Sequence, residues 1–220
     1  MMTMRRLLNI SFVFCLASTA ATGYAKKYTA DAQKGNNSLT AVFDAPFGER
    51  ITALSSAVSC ELDVDSAQGT AKGHCQVPLT SVIVDTEATK TEHFYEWTTN
   101  KKMDPLKCVF ELPIDAKAAG PLEAKKAVEF TFDGEFKVCG RTHADKNKEH
   151  IEGSVMLLPA GTYGKSEVLR IRAKISKFNR EAYQIGPKWT GGWLARVQQL
   201  ADVVAAEGEI TLNIFAKAAE

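Results

Sequence analysis

The sequence predicts an all-β protein: an antiparallel sheet of eight strands closed into a barrel, with two short helices. Three observations carry this. Apolar residues recur at every second position in a series of short runs, clusters of Gly, Asp, Asn and Lys separate the runs, and only two segments change to helical spacing. Period two marks strands with one face dry and the other wet. A large antiparallel sheet with one apolar face must fold onto itself, and closure into a barrel also removes exposed edges. A two-sheet sandwich satisfies the alternation nearly as well. A barrel of eight strands encloses either packed side chains or one elongated ligand.

In chain order, residues 1–25 read as a secretory signal peptide. Arg5 and Arg6 are followed by a mostly apolar stretch from Leu7 to Ala21, then by Gly23-Tyr24-Ala25. Basic start, short apolar middle and small residues at −3 and −1 define such a signal, with cleavage expected after Ala25. The apolar run is shorter than the about 20 residues a membrane span needs. Phe12-Val13-Phe14 is a poor approach to a lipidated Cys15. The mature protein is therefore expected to be periplasmic or secreted, with no membrane span after signal removal. Residues 26–38 form a polar lead, and residues 39–220 the barrel domain.

Leu39 to Phe43 opens the strands. In the next, Val58, Cys60, Leu62 and Val64 alternate with Ser59, Glu61 and Asp63; Cys75, Val77 and Leu79 follow in a strand over 73–82. Leu106, Cys108, Phe110 and Leu112 make the fourth run, and Val128, Phe130 and Phe132 the fifth. The last three are Ile151, Val155 and Leu157; Leu169, Ile171, Ala173 and Ile175; and Ile210, Leu212 and Ile214. Turns fall at 66–73, 133–134 and 144–148. One helix is expected over Glu87 to Thr98, with Phe94 and Trp97 on one side. The other carries Leu194, Val197, Leu200, Val203 and Val204 between Gly191-Gly192 and Gly208. Both suit a barrel mouth, although apolar helix faces more often pack as plain core.

Loss of Cys15 leaves Cys60, Cys75, Cys108 and Cys139, an even number that suggests two disulfides in an oxidising compartment. Three connectivities are open. A turn centred on Ala67-Gln68 sets Cys60 opposite Cys75 in the apolar phase of both strands, close enough to bridge. Cys108–Cys139 follows by elimination. A simple hairpin over 114–126 would place Cys108 near Phe132, so this second bridge requires a bulge or slip.

Composition and motifs exclude more than they assign. Lys+Arg 27 against Asp+Glu 26 leaves a net charge of +1, and losing Arg5 and Arg6 leaves 25 against 26. Such balance argues against a nucleic-acid partner. No nucleophile elbow, dinucleotide or phosphate loop, or zinc-protease motif occurs. His74, His93, His143 and His150 are scattered. A metal site would need His143 and His150 with Asp145 or Glu149, and an acid–base pair would need His93 with Glu92 or Glu96. Solvated or anchoring roles suit these residues better. No enzyme, metal or resident cofactor is expected.

Several segments together resemble the YceI-like, polyisoprenoid-binding family of bacterial periplasmic proteins. Ala45-Pro46-Phe47-Gly48-Glu49-Arg50-Ile51 is similar to the family's Ala-Pro-x-Glu-x-Ile, with one extra residue. Ser56-Ala57-Val58 through Leu62-Asp63-Val64-Asp65 resembles its first hairpin arm, where glycine often stands at the place of Cys60. Leu79-Thr80-Ser81-Val82, Asp85-Thr86 and Glu92-His93-Phe94 resemble its helix region, but Glu87 replaces a glycine and Thr91 falls near an expected arginine. Pro105 to Phe110 is similar to its Tyr-Pro-x-x-x-Phe strand, with Asp104 at the tyrosine place. Gly134-Glu135-Phe136 to Gly140-Arg141-Thr142 resembles the strand ending His-Gly-x-Thr, with Cys139 for histidine. Phe178 to Ile185 matches a further segment. The likeness spans about residues 39 to 217 and marks a divergent member.

The resemblance implies a lipocalin-like eight-stranded barrel that holds a polyisoprenoid, an isoprenoid quinone or a similar amphiphilic lipid, as a binding or carrier protein. A continuous tunnel with few internal charges is expected. Candidate ligand contacts from the first strands are Val58, Leu62, Val77 and Leu79; from the middle strands Phe110, Phe130, Phe132 and Leu157; and from the last Leu169, Ile171, Ile210 and Leu212. Phe94, Trp97, Tyr183, Trp189 and Trp193 are candidates near an opening. Two alternatives are a barrel filled by its own side chains, acting as a structural or interaction module, and a redox accessory. A homodimer and a membrane cytochrome are further partner expectations; the cytochrome is a b-type one, as some family members serve.

Overall fold

The computed structural model describes residues 25–32, 36–191 and 204–219. The predicted signal segment up to Tyr24, Trp193 and the predicted second helix up to Val203 lie outside the described residues.

Alternation becomes a barrel through a chain of antiparallel pairings. The strands are β1 (Lys26–Ala30), β2 (Ser38–Asp44), β3 (Arg50–Ser55), β4 (Ser59–Asp65), β5 (Thr70–Pro78), β6 (Ile83–Val84), β7 (Val109–Ala118), β8 (Ala127–Gly134), β9 (Lys137–Val138), β10 (Glu149–Leu158), β11 (Val168–Asn179) and β12 (Glu207–Ala218). The sheet order runs β1-β4-β5-β7-β8-β10-β11-β12-β2-β3-β6, and β1 also pairs with β12. β12 meets β2 along Gly208–Asn213 and β1 at Lys217–Ala218. β1 and β2 thus act as one interrupted strand, and β3 and β4, which pair with them, as another. Counted this way, eight antiparallel strands close in sequence order, each beside its neighbour in the chain.

Four elements depart from the sequence expectation; one is the run expected from Leu106, which becomes a strand only at Val109 because Pro105–Lys107 form a 3-10 turn that leaves Leu106 exposed. Lys26–Ala30, read as part of a polar lead, is the strand that closes the ring. Its outward positions are charged or polar, but Tyr28 and Ala30 are buried; five residues with only two inward side chains are too short to stand out as a period-two pattern. β3 was not read as a separate strand because it continues β4 across a bend. The strand expected over 73–82 ends at Pro78, and Leu79–Ser81 form a 3-10 turn.

Between β5 and β7 the chain leaves the barrel wall. It runs through β6, which pairs with β3 at Ala53↔Val84 and Leu54↔Ile83, and then into helix α1 (Ala88–Thr99). Pro78 ends the β5 ladder, because proline donates no ladder hydrogen bond. The predicted helix at 87–98 is therefore present, with Glu87 as its N-cap.

Both disulfides form, Cys60–Cys75 and Cys108–Cys139. Cys60 and Cys75 are direct cross-strand partners. For the second pair, the hairpin is longer than the simple one. Lys117 meets Thr131, and the same register continues to Phe110↔Val138. That register brings Cys108 opposite the 139–140 turn, where Cys139 takes a left-handed backbone (φ 49°). This is the slip the pairing required.

Candidate functional site: an apolar chamber beneath helix α1

Helix α1 covers one end of the barrel because its side chains and the preceding loop tie it there. Tyr95 Oη donates to the carbonyls of Thr80 (3.0 Å) and Val82 (2.9 Å). Thr91 Oγ1 accepts from the Val84 amide at 3.0 Å. Asp85 accepts from the Thr52 amide at 2.8 Å and from Lys90 at 2.9 Å. Burial works to raise the Asp85 carboxyl, but the Thr52 amide and Lys90 outweigh it and hold it below the ordinary carboxylate range. At the other end of the helix, Arg141 donates to the carbonyls of Thr98 and Tyr183. A cation at a helix C-terminus also suits the helix dipole.

Beneath α1 lies a cavity of about 240 Å³. Its walls come from Leu39, Ala41 and Phe43 on β2, Ile51 and Ala53 on β3, and Val82 and Val84 around β6. Phe94 and Trp97 form its roof, and Phe110, Phe136, Phe178 and Ile210 line it from the barrel wall. The rings are mutually packed: Phe110 on Phe94 and on Phe136 (6.4 and 6.3 Å between centroids), and Phe136 edge-on to Phe178 at 5.4 Å. Rings held against each other leave shaped space between them, since flat groups interdigitate less completely than branched aliphatic ones.

Among the described residues, charged groups touch this chamber only where they are already engaged or at its edge. Lys90 bridges Asp85 and Glu87, each at 2.9 Å. The buried Arg180 donates to the carbonyls of Ala205 (3.1 Å), Ile185 (2.8 Å) and Val204 (2.7 Å). His93 is exposed and stacks on Trp97. An apolar interior with polar groups confined to the edge suits a hydrophobic chain far better than a charged reactant. No cluster of His, Cys, Asp or Glu able to hold a metal occurs among the described residues.

A second, smaller cavity of about 70 Å³ occupies the far half of the barrel. Leu62, Phe130, Phe132, Leu169 and Ile171 line this one, together with Ile114, Val155 and Ile214. Among the described residues, the two cavities share no lining residue. The expected continuous tunnel is therefore two chambers, a correction with a packing cause developed below.

Of the other predicted contacts, Phe94, Trp97, Phe110 and Ile210 line the larger chamber, whereas Val58, Val77, Leu79, Tyr183 and Leu212 are buried core that lines neither. Leu157 packs partly buried against the core. Trp189 also lines neither chamber; Lys188 lies over its ring at 4.2 Å. Tyr183 instead donates to the buried Glu149 carboxylate at 2.6 Å. Burial first, then that carboxylate, pushes its phenol far above the ordinary range.

Sequence reasoning missed Phe136 and Phe178 for different reasons. Phe136 keeps the inward parity of Phe130 and Phe132, but beyond the end of β8 at Gly134. Phe178 has the parity opposite to Ile175, and a bulge between Ile175 and Phe178 turns it inward. Its ring packs edge-on to Phe43. A Cβ on Gly208, which pairs with both Phe43 and Phe178, would lie 2.4 Å from the Phe43 ring, so glycine there makes room for it.

No family model and no curated protein matches the chain. Among solved structures, the chain is similar in fold to a polyisoprenoid-binding domain from Saccharophagus degradans implicated in plant cell wall breakdown. That alignment has a TM-score of 0.59 at 11% identity and covers 89% of this chain and all of that domain. The likeness establishes a shared eight-stranded, lipocalin-like barrel.

Proposed function

We propose that the protein is a divergent YceI-like binding protein that holds an isoprenoid chain, or a similar amphiphile, in the chamber beneath α1. The observation that carries this reading is the chamber itself: aromatic and aliphatic walls, charges held by other protein groups, and a helix for a roof. Each buried methylene contributes about 0.8 kcal/mol, so a hydrocarbon chain binds there without any ionic contact. The engagement of Lys90 and Arg180 by protein groups favours a neutral head, an alcohol or a quinone, left at the edge near His93. The shared fold with a polyisoprenoid-binding domain supports the same class of ligand. A signal-like N-terminus and two disulfides support a place in an oxidising compartment such as the periplasm.

Native mass spectrometry of the exported protein, purified without detergent and paired with organic extraction, tests this. A bound isoprenoid mass, or uptake of farnesol or a short-chain quinone by the apo-protein, is the expected result. An apo mass unchanged after incubation with both would establish a barrel that serves only as structure.

A further inference from the structure

The barrel interior is divided across its middle, and inward positions on β7, β8 and β12 mark the division. On β7, Phe110 faces the larger chamber and Ile114 the smaller, with Leu112 between them. On β12, Leu212 sits in the same way between Ile210 and Ile214. On β8 and its continuation, the position between Phe132 and Phe136 is Gly134. Leu112 and Leu212 are 5% and 7% exposed, and Ile151 is fully buried.

Gly134 shows how tight this waist is. A Cβ placed on it would lie 2.9 Å from Leu112 Cδ1, 3.0 Å from Ile151 Cδ1 and 3.1 Å from the Phe132 ring. The first distance is shorter than real side chains show and the other two are tight, so the methyl groups of Leu112 and Ile151 crowd the place a side chain would take. Space removed from the wall by glycine has been refilled from the inside. Protein interiors are packed to crystal-like density, so such a plug does not yield for a hydrocarbon chain without displacing side chains.

We infer that this waist is the length-determining element of the site, and that the protein selects short isoprenoids of one to three units over long polyprenyl chains. This inference rests on the binding function proposed above and names its ligand class. At about 15–30 Å³ per water-sized group, the larger chamber accommodates roughly 8–16 heavy atoms. The remainder of a longer chain stays in water and adds nothing to affinity. Leu112 and Leu212 are the specificity-determining residues, since truncating them joins the two chambers.

The test is a chain-length series of geraniol, farnesol, geranylgeraniol and solanesol, binding to the detergent-free protein by native mass spectrometry and competition. Affinity is expected to rise by about fourfold per newly buried methylene, up to farnesol, and to be level beyond it. In the Leu112→Ala/Leu212→Ala double variant the plateau moves to geranylgeraniol or later. Wild-type affinity that continues to rise through geranylgeraniol and solanesol overturns the waist but leaves the binding function standing. Failure of every alcohol and of a short-chain quinone to bind overturns the binding function, and the inference with it. The wild-type series decides the matter even if the double variant does not fold.

Discussion

The two halves of the barrel are built from the same strands with the same alternation, yet they are filled differently. Beneath α1 the inward positions carry Phe43, Phe94, Phe110, Phe136 and Phe178, and a chamber of about 240 Å³ remains. In the far half they carry Val64, Ala71, Ala116, Ala118 and Leu122 along with Phe130 and Phe132, and about 70 Å³ remains. That end is drawn shut by β1, where Tyr28 Oη donates to Glu167; the paired Cys60 and Cys75 lie nearer the middle, with Cys75 opposite Leu112. Ring size alone does not make a cavity. Clustered rings that buttress each other under a helical roof leave space, whereas two rings among small aliphatic groups are enclosed by them.

The largest expected effect breaks the aromatic half. Phe136→Ala removes the ring that touches Phe110, Phe178 and Tyr183, and should cost about 3–5 kcal/mol in a urea titration. A loss under about 1 kcal/mol would show that the chamber walls do not support one another.

Removing each disulfide compares the two halves directly. Sequence separations of 15 and 31 residues give about 3 kcal/mol for Cys60–Cys75 and about 3.7 kcal/mol for Cys108–Cys139 from loop entropy. Paired Cys→Ser variants measured under oxidising conditions should keep that order. The reverse order would mean that the tight Cys60–Cys75 hairpin governs folding more than chain entropy does.

The two buried phenols sharpen the contrast further. Tyr183→Phe leaves the buried Glu149 without its donor and should cost about 1–3 kcal/mol. Tyr28→Phe should cost less, because Glu167 is partly exposed and also bonded to Lys26. Both phenols titrate higher folded than unfolded, from an ordinary value of 10.0. Their contribution is therefore full below pH about 10 and is lost as pH rises above it. The ultraviolet tyrosinate band of these two residues should appear only together with unfolding. Its appearance in the folded protein near the ordinary value would remove the buried-phenol account.

The smallest effect serves as a control. Lys72 and Asp115 pair at 3.6 Å on the outer face, with both side chains more than 70% exposed. Lys72→Ala should change stability by less than about 1 kcal/mol and leave ligand binding untouched.

Much of the barrel was legible in the residues. Alternation located most of the strands from Leu39 to Ile214, missing Arg50–Ser55 and starting β7 too early at Leu106, and hairpin register alone paired Cys60 with Cys75, because a two-residue period and a short turn leave little freedom. The helix at 87–98 was visible from Phe94 and Trp97. The site was less legible. Phe94, Trp97, Phe110 and Ile210 were named and line the larger chamber, but Leu39, Ala41 and Phe43 were read only as a strand. A one-residue bulge brings Phe178 inward against the parity of its own strand, and a local pattern cannot anticipate that.

The sequence by itself determined where most of the strands run, that the barrel wall is antiparallel, and which cysteines of the first hairpin meet; the turn expected at 133–134 lies inside β8 instead. The features it determined are consequences of neighbours along the chain or across one turn. Only the tertiary structure decided that Lys26–Ala30 closes the ring, that α1 roofs one end, and that Leu112 and Ile151 crowd the space at Gly134 between the two chambers. Whether an inward side chain fills space or borders it depends on residues facing it from strands far away in sequence. Alternation marks that a residue points inward; it carries no information about what is there to meet it.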